Sequence, residues 1–311
     1  MSSGGGGRWW ALFASAIVAL VGLVAVLDVE GGAAGTGDSS ASVRVGFVRN
    51  YSIYTVSPDG HGTTLVLKSH PPVVKEHPHE VITGPDDVLY SQPAWSLDGQ
   101  HLAVHAMTFE SHEFQHVWVF DRKLKHIATF DSIYGAGGDS PSWSPDGRQL
   151  VFGDIWGGWI YLARLHNGVR ALVDHFGAPP YDFGPSWSPR GSAIVFSRAT
   201  STGPTDELYG VLFIVKPNGT GLHQLLDQAV NATWSPDGRS IAFDDLSRIG
   251  VIDTSGRGLH WVVENGTHPA WSPDGSMIAF ERGNDIWLVR LADGRSRLLV
   301  KNASDPTWTS R

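Results

Sequence analysis

The chain has no cysteine in its 311 residues. That absence excludes a disulfide framework, a lipidated cysteine and any thiolate metal site, so stability must come from packing. Helical periodicity is also missing. So is a surplus of positive charge: 23 Lys and Arg stand against 31 Asp and Glu, a formal net of −8. Setting aside residues 1–42, which hold Arg8, Asp28, Glu30 and Asp38, the net is −6. This excludes a nucleic-acid role, because phosphate binding needs a basic surface. No G-x-S-x-G occurs, which removes the nucleophile elbow of serine hydrolases.

What the chain does have is a phrase repeated six times, around Trp95, Trp143, Trp187, Trp234, Trp271 and Trp308. PSWSPDGRQLVF from Pro141, ATWSPDGRSIAF from Ala232 and PAWSPDGSMIAF from Pro269 are the fullest copies. PAWSLDGQHLAV from Pro93 and PSWSPRGSAIVF from Pro185 are variants, and PTWTSR ends the chain. The tryptophans are 48, 44, 47, 37 and 37 residues apart, a period that fits a unit of four short strands. In the last full unit, PAWS, SMIAF, DIWLVR and RLLV read as strands, with SPDG and LADG as turns. The final unit holds a first strand alone. VRVGFVRN, SIYTVSPDG and TTLVL at the other end supply the remaining three, so the chain predicts an all-β, six-bladed propeller over 43–311 whose last sheet joins both ends.

Pro opens the SPDG turn and Gly closes it, and an Asp between them can hold the turn backbone, so the repeated Asp reads as architectural. Its replacement by Arg190 in SPRG, with the strands intact on both sides, agrees. The repeated Trp reads as an apolar anchor between sheets, preceded by Ala, Ser or Thr where strands crowd an axis. The W-S-P-D-G-x-x-I-A-F phrase resembles that of the TolB-like six-bladed β-propellers, over nearly everything from Val43 to Arg311. TolB itself has an α/β domain ahead of its propeller and binds envelope partners; here about forty residues precede the repeats. The resemblance therefore implies an envelope binding module that takes a protein or peptide partner and is not an enzyme. The phrase also occurs in prolyl-oligopeptidase-like propellers, which need a hydrolase domain. A further resemblance, to oligogalacturonate lyase, implies an alternative: a metal-dependent extracytoplasmic enzyme acting as a polysaccharide lyase or hydrolase. That family has seven blades and a histidine-containing metal site.

Ahead of the repeats, Trp9 to Leu27 runs 19 residues without a charge, long enough as a helix to span a bilayer. Arg8 precedes it, and Asp28 and Glu30 follow. The expectation is a cytoplasmic head (1–8), a transmembrane signal anchor (9–27), a flexible Gly/Ala/Ser-rich linker (28–42) and an extracytoplasmic propeller. The alternative is secretion after cleavage within the linker. Five N-x-S/T triplets, from Asn50, Asn218, Asn231, Asn265 and Asn302, would accept glycans in a glycosylating source.

Function is expected in the rim opposite the SPDG turns, whose long members are Lys68 to Gln92, Ala106 to Gln115, Phe130 to Ser140, Asp174 to Gly184 and Arg198 to Tyr209. Nine of the 14 histidines fall between His61 and His126. His77, His79, His105, His112 and His116 are the candidate ligands of a divalent transition metal, since imidazole suits zinc, copper, nickel or iron. The spacings match no established metal motif, and no cofactor is otherwise implied. Tyr134, Trp156, Tyr181, Phe183, Asp206 and Glu207 are the candidate contact residues, with Trp159 and Tyr209 equally readable as blade packing. Acidic residues including Asp182, Asp244 and Glu281 would make the channel mouth negative.

Overall fold

The computed structural model describes residues 43–309 except 76–79, 83–86, 110–113, 132–137, 155–157, 166–167, 174–180 and 202–207. Two units are distinguished, Met1–Ser40 and Ala41–Arg311; the expected head, span and linker lie outside the described residues. Among the described residues there is no helix. Strands form six four-stranded antiparallel sheets, the blades of a propeller, each ordered outward from its Trp-bearing strand.

Blade 1 comprises Val88–Trp95, His101–Thr108, Phe114–Asp121 and His126–Phe130; blade 2 Gly138–Trp143, Gln149–Asp154, Trp159–Arg164 and Gly168–Ala171. Blade 3 holds Tyr181–Trp187, Ile194–Ser201, Leu208–Val215 and His223–Asp227; blade 4 Val230–Trp234, Ser240–Asp244, Arg248–Asp253 and His260–Glu264. Blade 5 is Thr267–Trp271, Met277–Arg282, Asp285–Arg290 and Ser296–Val300. Blade 6 closes the ring as expected: C-terminal Ser304–Thr309 pairs with Arg44–Arg49, followed by Ser52–Val56 and Thr64–Leu67.

The core lies between blades. One apolar layer joins Val48, Ile53 and Leu67 of blade 6 to Tyr90, Leu102 and Val104 of blade 1, and comparable layers join each later pair. The Phe that ends the repeated phrase is fully buried in five blades, as Phe47, Phe152, Phe196, Phe243 and Phe280. Each such side chain contributes about 1.5–3 kcal/mol by leaving water. The tryptophans tie neighbours together: the indole N–H groups of Trp143, Trp234 and Trp308 donate to the carbonyls of Ala94, Ser186 and Ala270 in the preceding blade, at 3.0, 3.1 and 2.9 Å.

The SPDG turns are architectural. Ser144 Oγ donates to Asp146 Oδ1 at 2.6 Å, and the same oxygen accepts Arg148 N–H at 3.1 Å. The arrangement recurs at Asp98, Asp237 and Asp274. In the variant turn, Arg190 Nε donates to the Asp237 carbonyl of the next blade at 2.8 Å. Asp146→Ala is therefore expected to cost about 1 kcal/mol, a loss of roughly 2–4 °C in Tm on calorimetry, with no change in binding.

Strands reach further into the rim than the expected loop boundaries. His101–Thr108 and Phe114–Asp121 extend into the Ala106 to Gln115 segment, and Tyr181–Trp187 and Leu208–Val215 begin inside theirs. Lys68 to Gln92 contains its own hairpin, Val73–Lys75 with Glu80–Ile82. Continued pairing satisfies backbone groups that a long loop would leave to solvent.

Candidate functional site

Proline and a small residue precede the tryptophan in five of the six phrases, and the residue before that proline sets the geometry of the channel. Gln92, Ser140, Gly184, Asn231, His268 and Asp305 all have φ between 47° and 57°. Short polar side chains and glycine tolerate this left-handed conformation, and a following proline disfavours the right-handed helical alternative. Each sits in a β-bulge of the innermost strand, for example between Ser91 and Ala94 or between Thr267 and Ala270. A bulge re-aims its residue. Here it delivers one residue per blade to the wall of a central cavity of about 410 Å³.

The ring is stitched from blade to blade. Asp244 Oδ2 of blade 4 accepts the backbone N–H of His268 in blade 5 at 2.8 Å, and also Asn231 Nδ2 at 2.9 Å. Glu281 Oε1 of blade 5 accepts Asp305 N–H in blade 6 at 2.6 Å. Asp305 in turn accepts the backbone N–H of Gln92 in blade 1, and Gln92 Oε1 accepts Ser140 N–H in blade 2 at 2.7 Å. Thus an acceptor from one blade holds the left-handed residue of the next, from blade 4 round to blade 2. This fixes the mouth rigidly, as a binding surface requires.

Charge is distributed unevenly. Asp244 is fully buried, Glu281 and Asp305 partly so, and Glu281 Oε2 lies 3.4 Å from His268 Nδ1. Burial is the largest cause raising all three carboxyls above their ordinary range. For Glu281 the His268 charge opposes the rise and the charges of Asp305 and Asp244 add to it. Across the ring, Gln92, Ser140 and Gly184 are neutral. Asp182, also buried, is held bidentately by Arg198 at 2.7 and 2.9 Å.

The remaining expected residues fall as follows. His105 lies mid-strand, with Nδ1 2.7 Å from Ser91 Oγ and Nε2 3.2 Å from Gln115 Oε1; burial drives its pKa down to about 4. His116 Nδ1 is 2.5 Å from Asp131 Oδ1, and Nε2 is 3.2 Å from Thr108 Oγ1. The register pairs His105 with Val117 and His116 with Ala106, which sends the two imidazoles to opposite faces of blade 1. Tyr181 is exposed on the rim beside Gly158, and Phe183 is half-buried near Gly153. Trp159 packs in the layer between blades 1 and 2. His77, His79, His112, Tyr134, Trp156, Asp206 and Glu207 lie outside the described residues. The ring itself was not singled out from sequence. A signal was there in four of the six phrases, where Ser140, Gly184, Asn231 and Asp305, all turn-forming types, stand three positions before the Trp.

The family model described as "TolB beta propeller domain" matches residues 79–310. Among solved structures, TolB from Acinetobacter baumannii superimposes with a TM-score of 0.63 at 20% identity, over 86% of this chain and 66% of that one. A chain of the nidogen/laminin complex matches with a TM-score of 0.64 at 10% identity, over 87% of this chain and 100% of that one. Oligogalacturonate lyase in complex with manganese gives 0.51 at 15% identity, over 67% and 64%. At these identities the likeness is one of fold.

Proposed function

Because the chain belongs to the family of TolB β-propeller domains, we propose that it is a membrane-tethered, extracytoplasmic binding module. Its channel mouth receives a protein or peptide of the cell envelope. The observation that carries this reading is the ring of six left-handed residues around the cavity, four of them held by blade-to-blade hydrogen bonds. A rigid concave mouth with a few polar groups is what a binding site needs. The tether is the apolar segment 9–27, which would keep the propeller at the outer face of the membrane. The neighbours named for TolB and for a nidogen/laminin complex support a protein partner in kind.

The enzyme alternative built on the rim histidines asks more of the molecule. His105 would have to give up Ser91 or Gln115, and His116 would have to give up Asp131 or Thr108, to free one ring nitrogen for a metal. The binding reading needs neither rearrangement.

Gly184 offers a direct test, since a Cβ built there meets nothing within 4 Å. Gly184→Tyr puts a ring into the mouth at a backbone cost of about 1–2 kcal/mol for the left-handed conformation. Chemical cross-linking of the full chain in its native membrane should enrich a specific envelope protein, and Gly184→Tyr should lower that enrichment at least tenfold while the propeller stays folded. Repeated failure to enrich any partner, or enrichment indifferent to the plug, would count against the reading.

A further inference from the structure

The rim opposite the mouth is basic, although the chain as a whole is acidic. Turns 96–100, 144–148, 188–191, 235–239 and 272–276 join first strands to second there, and 57–62, 121–125, 164–168, 216–221, 253–258 and 290–295 join third to fourth. Together these turns hold eleven Lys and Arg against eight Asp, in a protein of formal net charge −8. All eight carboxylates accept a backbone N–H of their own turn, as Asp121 does from Lys123 and Lys125 at 2.8 and 2.9 Å and Asp293 from Arg295 at 3.1 Å. The acids are turned onto the backbone. The positive excess gathers in blade 1, where Arg122, Lys123 and Lys125 are all exposed.

Among these basic side chains stands Leu124. Its N–H closes the turn onto the Asp121 carbonyl at 2.8 Å, with φ 61°, and the residue is 40% exposed. The residue that closes the same turn is Gly60 in blade 6, Gly219 in blade 3 and Gly256 in blade 4, with φ of 91°, 84° and 81°. Leucine is strained in this left-handed conformation and glycine is not, so blade 1 keeps an exposed apolar side chain where its counterparts have none. Ile127, three residues on, is also exposed. The chain enters the propeller on this rim as well. Arg44 pairs with Thr309 at the end of the innermost strand, where other blades have their SPDG turn, and residues 1–42 lead into it. Blade 6, which receives them, packs against blade 1.

Basic side chains around an exposed leucine suit an anionic lipid surface, where phosphates meet the cations and the acyl boundary takes the apolar group. The turns of this rim contain no Phe, Trp or Tyr, so they lack the aromatic anchors of a protein or sugar contact. We infer that the SPDG rim docks on a membrane surface carrying anionic lipid, with Arg122, Lys123 and Lys125 at the headgroup phosphates and Leu124 at the apolar boundary beneath them. The mouth then faces away from the bilayer, toward its partner. The inference rests on the tethered-module reading above and gives it an orientation. A tether that leaves from the same rim keeps the turn at high local concentration, so a shallow contact suffices.

The absence of cysteine lets the full chain be labelled at one site. It is reconstituted in vesicles of phosphatidylcholine alone or mixed equally with phosphatidylglycerol, with a nitrobenzoxadiazole label at Ile127→Cys on the SPDG rim or at Leu246→Cys, in the loop between the second and third strands of blade 4 on the other rim. In anionic vesicles the label at 127 should shift to shorter wavelength and be quenched by spin-labelled lipid, and the label at 246 should do neither. Changing Arg122, Lys123 and Lys125 together to Gln should lower the docked-to-undocked ratio at least about tenfold, and high salt should do the same. Those glutamines leave the turn intact, since its bonds to Asp121 come from backbone N–H groups. Leu124→Gly, which gives blade 1 the residue of its counterparts, should lower the ratio about threefold or more. Equal signals at 127 in the two lipids, an equal shift at 246, or an unchanged ratio in the triple variant overturns the inference. Alkaline carbonate tests the tether separately: a chain that it releases from the vesicles has no membrane anchor. Docking is then upheld if the intact chain sediments with anionic vesicles alone, and overturned if it sediments with both or neither.

Discussion

Asp139→Asn is expected to stabilise the propeller at pH 8, by about 2–4 kcal/mol, and to change it little at pH 4. The parental carboxyl is buried at 9% exposure between blades 2 and 3, and its pKa is raised to about 7. Burial is the main cause, the Ser140 hydroxyl works against it, and the negative charge of Asp154 adds to it. A carboxyl whose folded pKa exceeds its unfolded value costs nothing below the unfolded value. The penalty grows as pH rises from about 4 to about 7 and is constant above. An amide at 139 removes it. His105 acts in the opposite direction: its folded pKa of about 4 lies below the ordinary 6.5, so the stability it contributes is present above 6.5 and lost as pH falls toward 4. The two slopes oppose each other in the parent between pH 4 and 6.5, and the variant, having lost the Asp139 slope, should gain stability more steeply with rising pH over that range. Calorimetry across pH 4 to 8 checks both statements, with a gain in Tm of roughly 5–10 °C at pH 8. A variant less stable than the parent at pH 8, or equally stabilised at both ends, would refute the assignment.

Gly46→Val is expected to open the ring. A Cβ at this position would lie 2.3 and 2.7 Å from Trp95 ring atoms and 2.9 Å from Thr307 Cγ2, so blade 6 has no room for a side chain where its two chain ends meet blade 1. Neither neighbour can retreat, because Trp95 ends the innermost strand of blade 1 and Thr307 is registered opposite Gly46. The cost should reach about 3 kcal/mol, at the upper end for overpacking, and urea unfolding should lose part of its cooperativity. Trp95→Leu in the same chain makes room and should restore some of the loss. Parental stability in the single variant would mean that blade 6 is not tightly docked on blade 1.

These two sites show what was legible in the sequence. The tryptophan phrase, the SPDG turn and the split last blade could be read directly, because each is local: a strand alternation, a turn residue, a missing partner found at the other end of the chain. The ring was not read, although Gln92, Ser140, Gly184, Asn231, His268 and Asp305 stand at the same place in every phrase. Their importance comes from bulge geometry and from acceptors distant in sequence, 24 residues away for His268 (Asp244), 48 for Ser140 (Gln92) and at the other end of the chain for Gln92 (Asp305). Such contacts need blade-to-blade register, which no local pattern supplies. Asp139 was missed for the same reason: its burial depends on Gly153 of the facing strand. Histidine density between His61 and His126 drew attention to blade 1, yet neighbours in sequence alternate across a sheet, and His105 and His116 end on opposite faces.

The most direct measurement is a position-resolved photo-cross-link in the native membrane. A benzophenone side chain is placed in turn at Gln92, Ser140 and His268 on the mouth, and at Asp146 and Asp237 on the SPDG rim. A binding mouth predicts one common envelope protein captured from the first three positions and from neither of the last two. Capture from Asp146 and Asp237 with none from the mouth would contradict it.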